Sequence, residues 1–336
     1  MKNKLTNICM LTLMFYGSIF SQDPIFTQYH SIPTLLNPSF SGSGGNSRIN
    51  SAYRLQWINE GYKITTQYAS FDTWSESLNS GLGISVRSHS EQLSRYNFTQ
   101  VDVSYAYHVK LTNEWTFFPA LSLGYGIKNF NFKGLLLGDQ IDIENGGFNQ
   151  VSIDSFLNRN QINFVDISTG FLLYNEKTWF GLSIKHLNRP SISFSNERNL
   201  LLPVFFSLHG GYLIELKPTY GDNIFNGTNL FLTFNYMQQS LYNRLDLGIQ
   251  IEIYNLSFGI LASTIPRKMD NNSHTLSSIN AIVGFKLGQF KVGISNDFTT
   301  SNIGKIGGIY EITLQYNFEN VFDGFKRPRR LKCIPY

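Results

Sequence analysis

The sequence is short of cysteine, of charge and of long apolar runs, and each shortage removes a class of protein. Among 336 residues there are two cysteines, Cys9 and Cys333. Cys9 falls in the apolar part of an N-terminal leader, so a chain that has lost its leader keeps Cys333 alone and has no internal disulfide. Charged residues make up 15% of the chain, where about a quarter is usual for soluble globular proteins. The net charge is a modest +4. Basic residues are scattered except in the tail Lys326–Lys332, so nothing reads as a nucleic-acid footprint. Past the leader, no segment approaches the roughly 18 apolar residues that a membrane helix needs. The six histidines, His30, His89, His108, His186, His209 and His274, lie far apart without metal-ligand spacing. The serine and histidine placements suggest no nucleophile with its base. These absences argue for a non-enzymatic chain without metal or cofactor.

What the sequence has in quantity is aromatic residues. Phe and Tyr number 28 and 18, yet mean hydropathy is slightly negative at −0.14. Rings, Gly, Asn and Ser with little charge suit strands that show one face to lipid and the other to an aqueous or polar lumen. The leader fits export. Lys2 and Lys4 precede the apolar stretch Ile8–Phe20, and Ile19 and Ser21 occupy the −3 and −1 positions of a cut before Gln22. An exported chain without helical spans can cross a membrane only as a closed barrel.

Strict alternation supplies the strands. In 310–318, Tyr310, Ile312, Leu314, Tyr316 and Phe318 share one face, and Glu311, Thr313, Gln315 and Asn317 the other. Val101, Val103, Tyr105, Tyr107 and Val109 oppose Asp102, Ser104, Ala106, His108 and Lys110, and Leu245, Leu247, Ile249, Ile251 and Ile253 oppose Asp246, Gly248, Gln250 and Glu252. Candidate strands fall near 47–58, 62–71, 81–90, 97–110, 114–129, 162–175, 178–187, 203–216, 228–240, 242–254, 255–265, 276–288, 289–298 and 307–318. The expected fold is therefore all-β, a transmembrane antiparallel up-and-down barrel of about 14 strands, with 12 to 16 open. Short and long connections alternate as an even barrel with periplasmic termini requires. There are three exceptions: the first connection is short for an outer loop, and 72–80 and 217–227 are long for periplasmic turns and read as segments a partner could touch. A soluble β-sandwich would also alternate, but the density of Phe, Tyr, Leu and Ile on nearly every apolar face favours lipid.

The domain layout follows: leader 1–21, a non-barrel segment 22–46, the barrel 47–318, and a tail 319–336. Segment 22–46 holds Pro24, Pro33 and Pro38 and shows no alternation. Both ends are expected in the periplasm or folded into the lumen, with the barrel in the outer membrane. Asn37 before Pro38 is pushed to extended geometry, and Gly42, Gly44 and Gly45 permit a sharp turn into the first strand. Lumen-side charges Arg54, Arg87, Asp102, Lys110, Lys185, Asp246, Glu252, Lys286 and Glu311 suit paired charges closing a narrow barrel or, alternatively, a pore lining. The acids Asp139, Asp142 and Glu144 read as a solvated loop rather than a cation site. Cys333 reads first as buried, otherwise as a free thiol or an intermolecular disulfide.

The non-barrel ends carry a resemblance. Gln22-Asp23-Pro24-Ile25-Phe26-Thr27-Gln28-Tyr29, Asn37-Pro38-Ser39-Phe40-Ser41-Gly42 and Tyr53-Arg54-Leu55-Gln56-Trp57 resemble the opening of the PorP/SprF family. Ser70-Phe71-Asp72 through Gly81-Leu82-Gly83 fits its next stretch. Cys333-Ile334-Pro335-Tyr336 is similar to its cysteine-proline ending, with Ile334 intervening. The resemblance implies an outer-membrane protein of the type IX secretion system of Bacteroidota. It also implies one of two roles. One is a dedicated, SprF-like helper for secretion or surface attachment of a large adhesin with a C-terminal secretion domain. The other is a core PorP-like component tied to the periplasmic ring and gliding. On this resemblance the candidate partner contacts are Asp23, Pro24, Gln28, Tyr29, Asn37, Pro38, Gly42, Arg54, Gln56, Trp57, Arg329, Arg330, Cys333 and Pro335. The expected partners are secretion components, such an adhesin and outer-membrane lipid. An outer-membrane pore or solute transporter is the rival from another class.

Overall fold

The computed structural model describes residues 23–58, 63–130, 141–142, 147–148, 160–194, 200–216, 228–267, 276–300 and 307–318. The long strands are β1 (Ser47–Gln56), β2 (Ile64–Ser75), β3 (Ser80–Glu91), β4 (Tyr96–Tyr107), β5 (Thr116–Phe130), β6 (Gln161–Tyr174) and β7 (Thr178–Lys185). They continue with β8 (Phe205–Leu216), β9 (Thr228–Gln239), β10 (Tyr242–Ile253), β11 (Leu256–Thr264), β12 (Leu276–Leu287), β13 (Phe290–Thr299) and β14 (Ile309–Phe318). Each pairs antiparallel with its sequence neighbours, and β1 pairs with β14 from Ser47↔Phe318 to Gln56↔Ile309. That last pairing closes a 14-strand up-and-down barrel.

The alternation decides which face is which. On β14, Tyr310, Ile312 and Leu314 are exposed while Glu311 and Thr313 are buried. On β4, Val101, Val103, Tyr105 and Tyr107 are exposed, and Phe98, Gln100 and Ala106 are buried. This is the reverse of a soluble sandwich, whose apolar faces meet each other. Each outward Leu, Ile or Phe left in water would forfeit roughly 1.5–3 kcal/mol, so the surface is suited to hydrocarbon. The inward face carries the polar groups: Asn50, Arg54, Asp166, His209, Asn235, Asp246, Asn280 and Glu311 are all buried.

We call the end where β1 begins and β14 finishes proximal, and the opposite end distal. Proximal turns are tight at 76–79, 254–255 and 288–289, with Asn79, Tyr254 and Gly288 at φ +49°, +53° and +59°. The sequence reading makes 72–80 a long connection. It is not: β2 continues to Ser75 and β3 starts at Ser80, so Asp72 lies in a strand with its side chain inward. Trp74 explains the misreading, because this last turn of β2 buries four consecutive residues, Asp72 to Ser75, and so loses its alternation. The expected strand 97–110 is interrupted at His108, with Val109–Lys110 pairing separately to Phe117 and Thr116. Residues 217–227 lie outside the described residues.

Candidate functional site

Residues 23–45 form a plug inside the barrel. Their local structure is a chain of single turns: a 3-10 turn at Tyr29–Ser31, one helical turn at Pro33–Leu36 and a second 3-10 turn at Pro38–Phe40. Pro33 and Pro38 each open a turn, where the missing N–H costs nothing and the fixed φ helps. Asn37 between them is extended (φ −152°, ψ 126°), as a residue before proline must be. Phe26, Tyr29, Ile32 and Phe40 are buried against the wall.

The distal part of the plug is gripped by charge. The Glu311 carboxylate accepts the backbone N–H groups of Thr27 (2.8 Å) and Gln28 (3.0 Å). Arg54 pairs with Glu311 and, at 3.3 Å, with Asp297. The Thr27 hydroxyl donates to the Asp297 carboxylate at 2.8 Å. Gln28 donates through Nε2 to Ser295 (3.1 Å) and accepts from Thr313 (2.8 Å). Three wall charges and two plug residues thus pair with one another away from water, an arrangement that stays favourable only while every member is present. Nearby, Asp23 meets Arg87 (3.4 Å) and His186 (3.2 Å), and His186 also meets Asp166 at 2.9 Å. The Asp23 backbone N–H donates to Gln239, the last residue of β9. Burial alone would raise the Asp23 carboxyl, but the Arg87 guanidinium and His186 imidazole reverse this and hold it well below the usual carboxylate range.

Deeper in the lumen the plug is fitted by shape. The Tyr29 hydroxyl donates to Thr233 at 3.2 Å. Asn37 Nδ2 donates to the main-chain carbonyls of Phe171 and Leu182, both at 3.1 Å, and lies 3.2 Å from His209 Nε2; its Oδ1 accepts the Ser39 N–H at 2.9 Å. A Cβ on Gly170 would sit 2.0 Å from Asn37 Oδ1, so the wall is bare where the amide enters. At the proximal end the Gly42 N–H donates to Asp72 (3.0 Å), which also holds Arg48 through two contacts of 3.0 Å. Gly42 has φ +67°, and a Cβ on Gly81 would meet the Ser41 carbonyl oxygen at 1.8 Å. Backbone passes over backbone here, and only glycine on both sides allows it. Phe40 completes the fit edge-on to Trp179, with ring centroids 5.4 Å apart, in a core that includes Trp74, Phe118 and Tyr174.

Beside the plug a cavity of about 90 Å³ is lined by plug residues His30 and Ser31 and by Glu252, Lys291 and Gln315 of the wall. The sequence-nominated residues therefore separate into three groups. Gln28, Tyr29, Asn37, Pro38, Gly42 and Arg54 are buried between plug and wall, and Asp23 and Pro24 are half-buried at its start. Gln56 ends β1, and Trp57 follows it at φ +54°, donating its N–H to Gly308. Arg329, Arg330, Cys333 and Pro335 lie outside the described residues. Of the lumen charges, Arg54, Arg87, Asp246 and Glu311 are buried inside the barrel, whereas Lys110 and Lys286 are exposed. Asp297, Asp72, Arg48 and His209 belong to the sockets but were not singled out from sequence as plug partners. The readable signal was a charge on a polar strand face, which must find a partner when buried.

The match to known families names the group. The family model described as type IX secretion system membrane protein PorP/SprF matches residues 18–316. The chain belongs to this PorP/SprF family. No curated protein matches it. Solved structures similar to it include the Pseudomonas putida toluene transporter TodX, at 9% identity and TM-score 0.46, covering 84% of this chain and 93% of that one. A Pseudomonas aeruginosa FadL homologue aligns at 8% identity and TM-score 0.44 over 91% and 97% of the two chains. The Acinetobacter baumannii outer membrane protein Omp33 aligns at 8% and 0.42 over 83% and 100%. All are barrels of low similarity to this chain. Among the described residues no grouping of His, Cys, Asp and Glu could hold a metal ion.

Proposed function

We propose that this PorP/SprF protein is a non-enzymatic docking component of type IX secretion in the outer membrane. In this reading it is SprF-like: it assists secretion or surface attachment of one large adhesin bearing a C-terminal secretion domain. The barrel anchors the protein in lipid, the tail 319–336 lies in the periplasm near the secretion apparatus, and the distal connections meet the exported partner. The observation that carries this reading is the plug. A family-specific segment, Thr27-Gln28-Tyr29 and Asn37-Pro38, is spent on filling the lumen and locking to Arg54, Glu311 and Asp297. A barrel whose lumen is filled by its own chain is suited to presenting surfaces rather than to conducting solutes. Deletion of the gene tests this reading. Loss of a single large surface protein, with other exported proteins unchanged, supports the dedicated role. Loss of the whole secretome and of gliding would assign the core role instead, and an unchanged secretome would overturn both.

A further inference from the structure

Among the described residues, one stretch of barrel wall lacks its neighbour. Strand β6 pairs with β5 along its whole length, up to Gln161↔Asn129. On its other side β7 pairs only with Thr169–Tyr174 and ends at Lys185. The chain then leaves the sheet, with His186 and Arg189 at φ +61° and +43°. Two contacts continue the ladder in makeshift form. The Leu187 N–H donates to the Ile167 carbonyl at 2.9 Å. The Asn188 carboxamide then stands in for a peptide group, accepting from the Ile167 N–H (3.1 Å) and donating to the Val165 carbonyl (2.7 Å). Residues two apart on a strand point their main-chain groups to the same side, so the Val165 N–H and both main-chain groups of Asn163 face this same edge. Among the described residues nothing pairs with them.

Packing supports the edge from one side. Its lumen side is packed: Ile162 and Phe164 sit in a cluster with Phe98, Ile192 and Leu202. Its outer side runs from exposed Val165 to exposed Asn163 and Gln161, so it leaves the apolar band and enters a polar level at the distal end. Natural sheet edges are usually blunted by lysine, proline or a bulge. The run Gln161-Ile162-Asn163-Phe164-Val165-Asp166-Ile167-Ser168 contains no Lys, Arg or Pro.

We propose that this edge, residues 161–165 of β6, is a strand-addition site for an extended segment of the exported partner. The inference rests on the docking reading above and locates its contact. A hydrocarbon chain offers nothing to main-chain donors and acceptors. A peptide strand does, because the edge groups of Asn163 and Val165 recur at about 6.7 Å, two strand residues apart. The partner segment carries an apolar residue beside Val165 and a polar one beside Asn163, with main-chain pairing providing affinity.

Gene deletion first identifies the surface protein that is lost; if none is lost, the docking reading itself fails. In cells that retain that partner, Asn163→Pro removes one N–H pointing away from β5 and leaves the β5–β6 ladder whole. The expected result is a fall of about tenfold in partner held at the surface, with the barrel still folded by heat-modifiable gel migration. Wild-type retention by the folded variant overturns the edge proposal and leaves the docking reading standing. Amide exchange on the unmodified full chain in detergent gives an independent answer. The Asn163 and Val165 amides exchange rapidly alone and slow by about tenfold when the purified partner is added. Protection already present without partner, or no change on adding it, overturns the proposal.

Discussion

The wall and the plug of this barrel are held by different physics. The wall is an antiparallel ladder closed from β14 to β1, and any one outward Leu, Ile or Phe can change to another apolar residue without altering it. The plug has no ladder. It is fixed by side chains that enter particular sockets: Gln28 and Thr27 at Glu311 and Asp297, Asn37 at Phe171 and Leu182, and Gly42 over Gly81. Redundant interactions tolerate substitution and socketed ones do not, so sensitivity to mutation should concentrate in a few lumen positions.

The largest effect is expected at Arg54. Arg54→Met leaves Glu311 and Asp297 as uncompensated buried carboxylates, which costs about 3–5 kcal/mol. The folded barrel should lose its heat-modifiable band at a markedly lower urea concentration, whereas Ile312→Leu on the outer face of the same strand pair should change little. Equal loss from both variants would erase the distinction between wall and plug.

Gly81→Ala comes next. Its Cβ would overlap the Ser41 carbonyl oxygen, and the backbone shift needed costs typically 1–3 kcal/mol. The plug should become accessible to protease added to detergent-solubilised protein while the barrel stays folded. A plug as resistant as in the unaltered chain would show that the proximal contact is looser than its geometry.

Acid gives the smallest effect. The folded state holds the Asp23 carboxyl low, so its contribution is intact above about pH 4, the ordinary carboxyl value, and is lost as pH falls through the lowered one. Protease protection of the plug should decline on acidification below about pH 4, and Asp23→Asn should flatten that decline. A decline of the same shape in the Asn variant would place the titration elsewhere.

Period-two alternation made the wall legible in the sequence, because each strand must send apolar groups out and polar groups in. It failed at Asp72–Ser75, where all four residues are buried. That one failure hid Asp72 from view as the socket for Gly42 and Arg48. The plug had no period to read. Its motif residues, Gln28, Tyr29, Asn37 and Gly42, stood out only by family resemblance, and their contacts lie up to 285 positions away in the chain. Arg54 and Glu311 were readable as inward charges, but nothing in one sequence says that Arg54 bridges Glu311 to Asp297. The β6 edge was also invisible, since it arises from β7 stopping early rather than from any residue in β6.

The central claim is that residues 23–45 fill the lumen and that the barrel does not work as a pore. Single-channel recording in planar bilayers tests it most directly, comparing the mature chain with a variant lacking residues 23–45. The account predicts no steady conductance from the intact chain and a stable open channel from the shortened one. A steady open channel from the intact chain would contradict it.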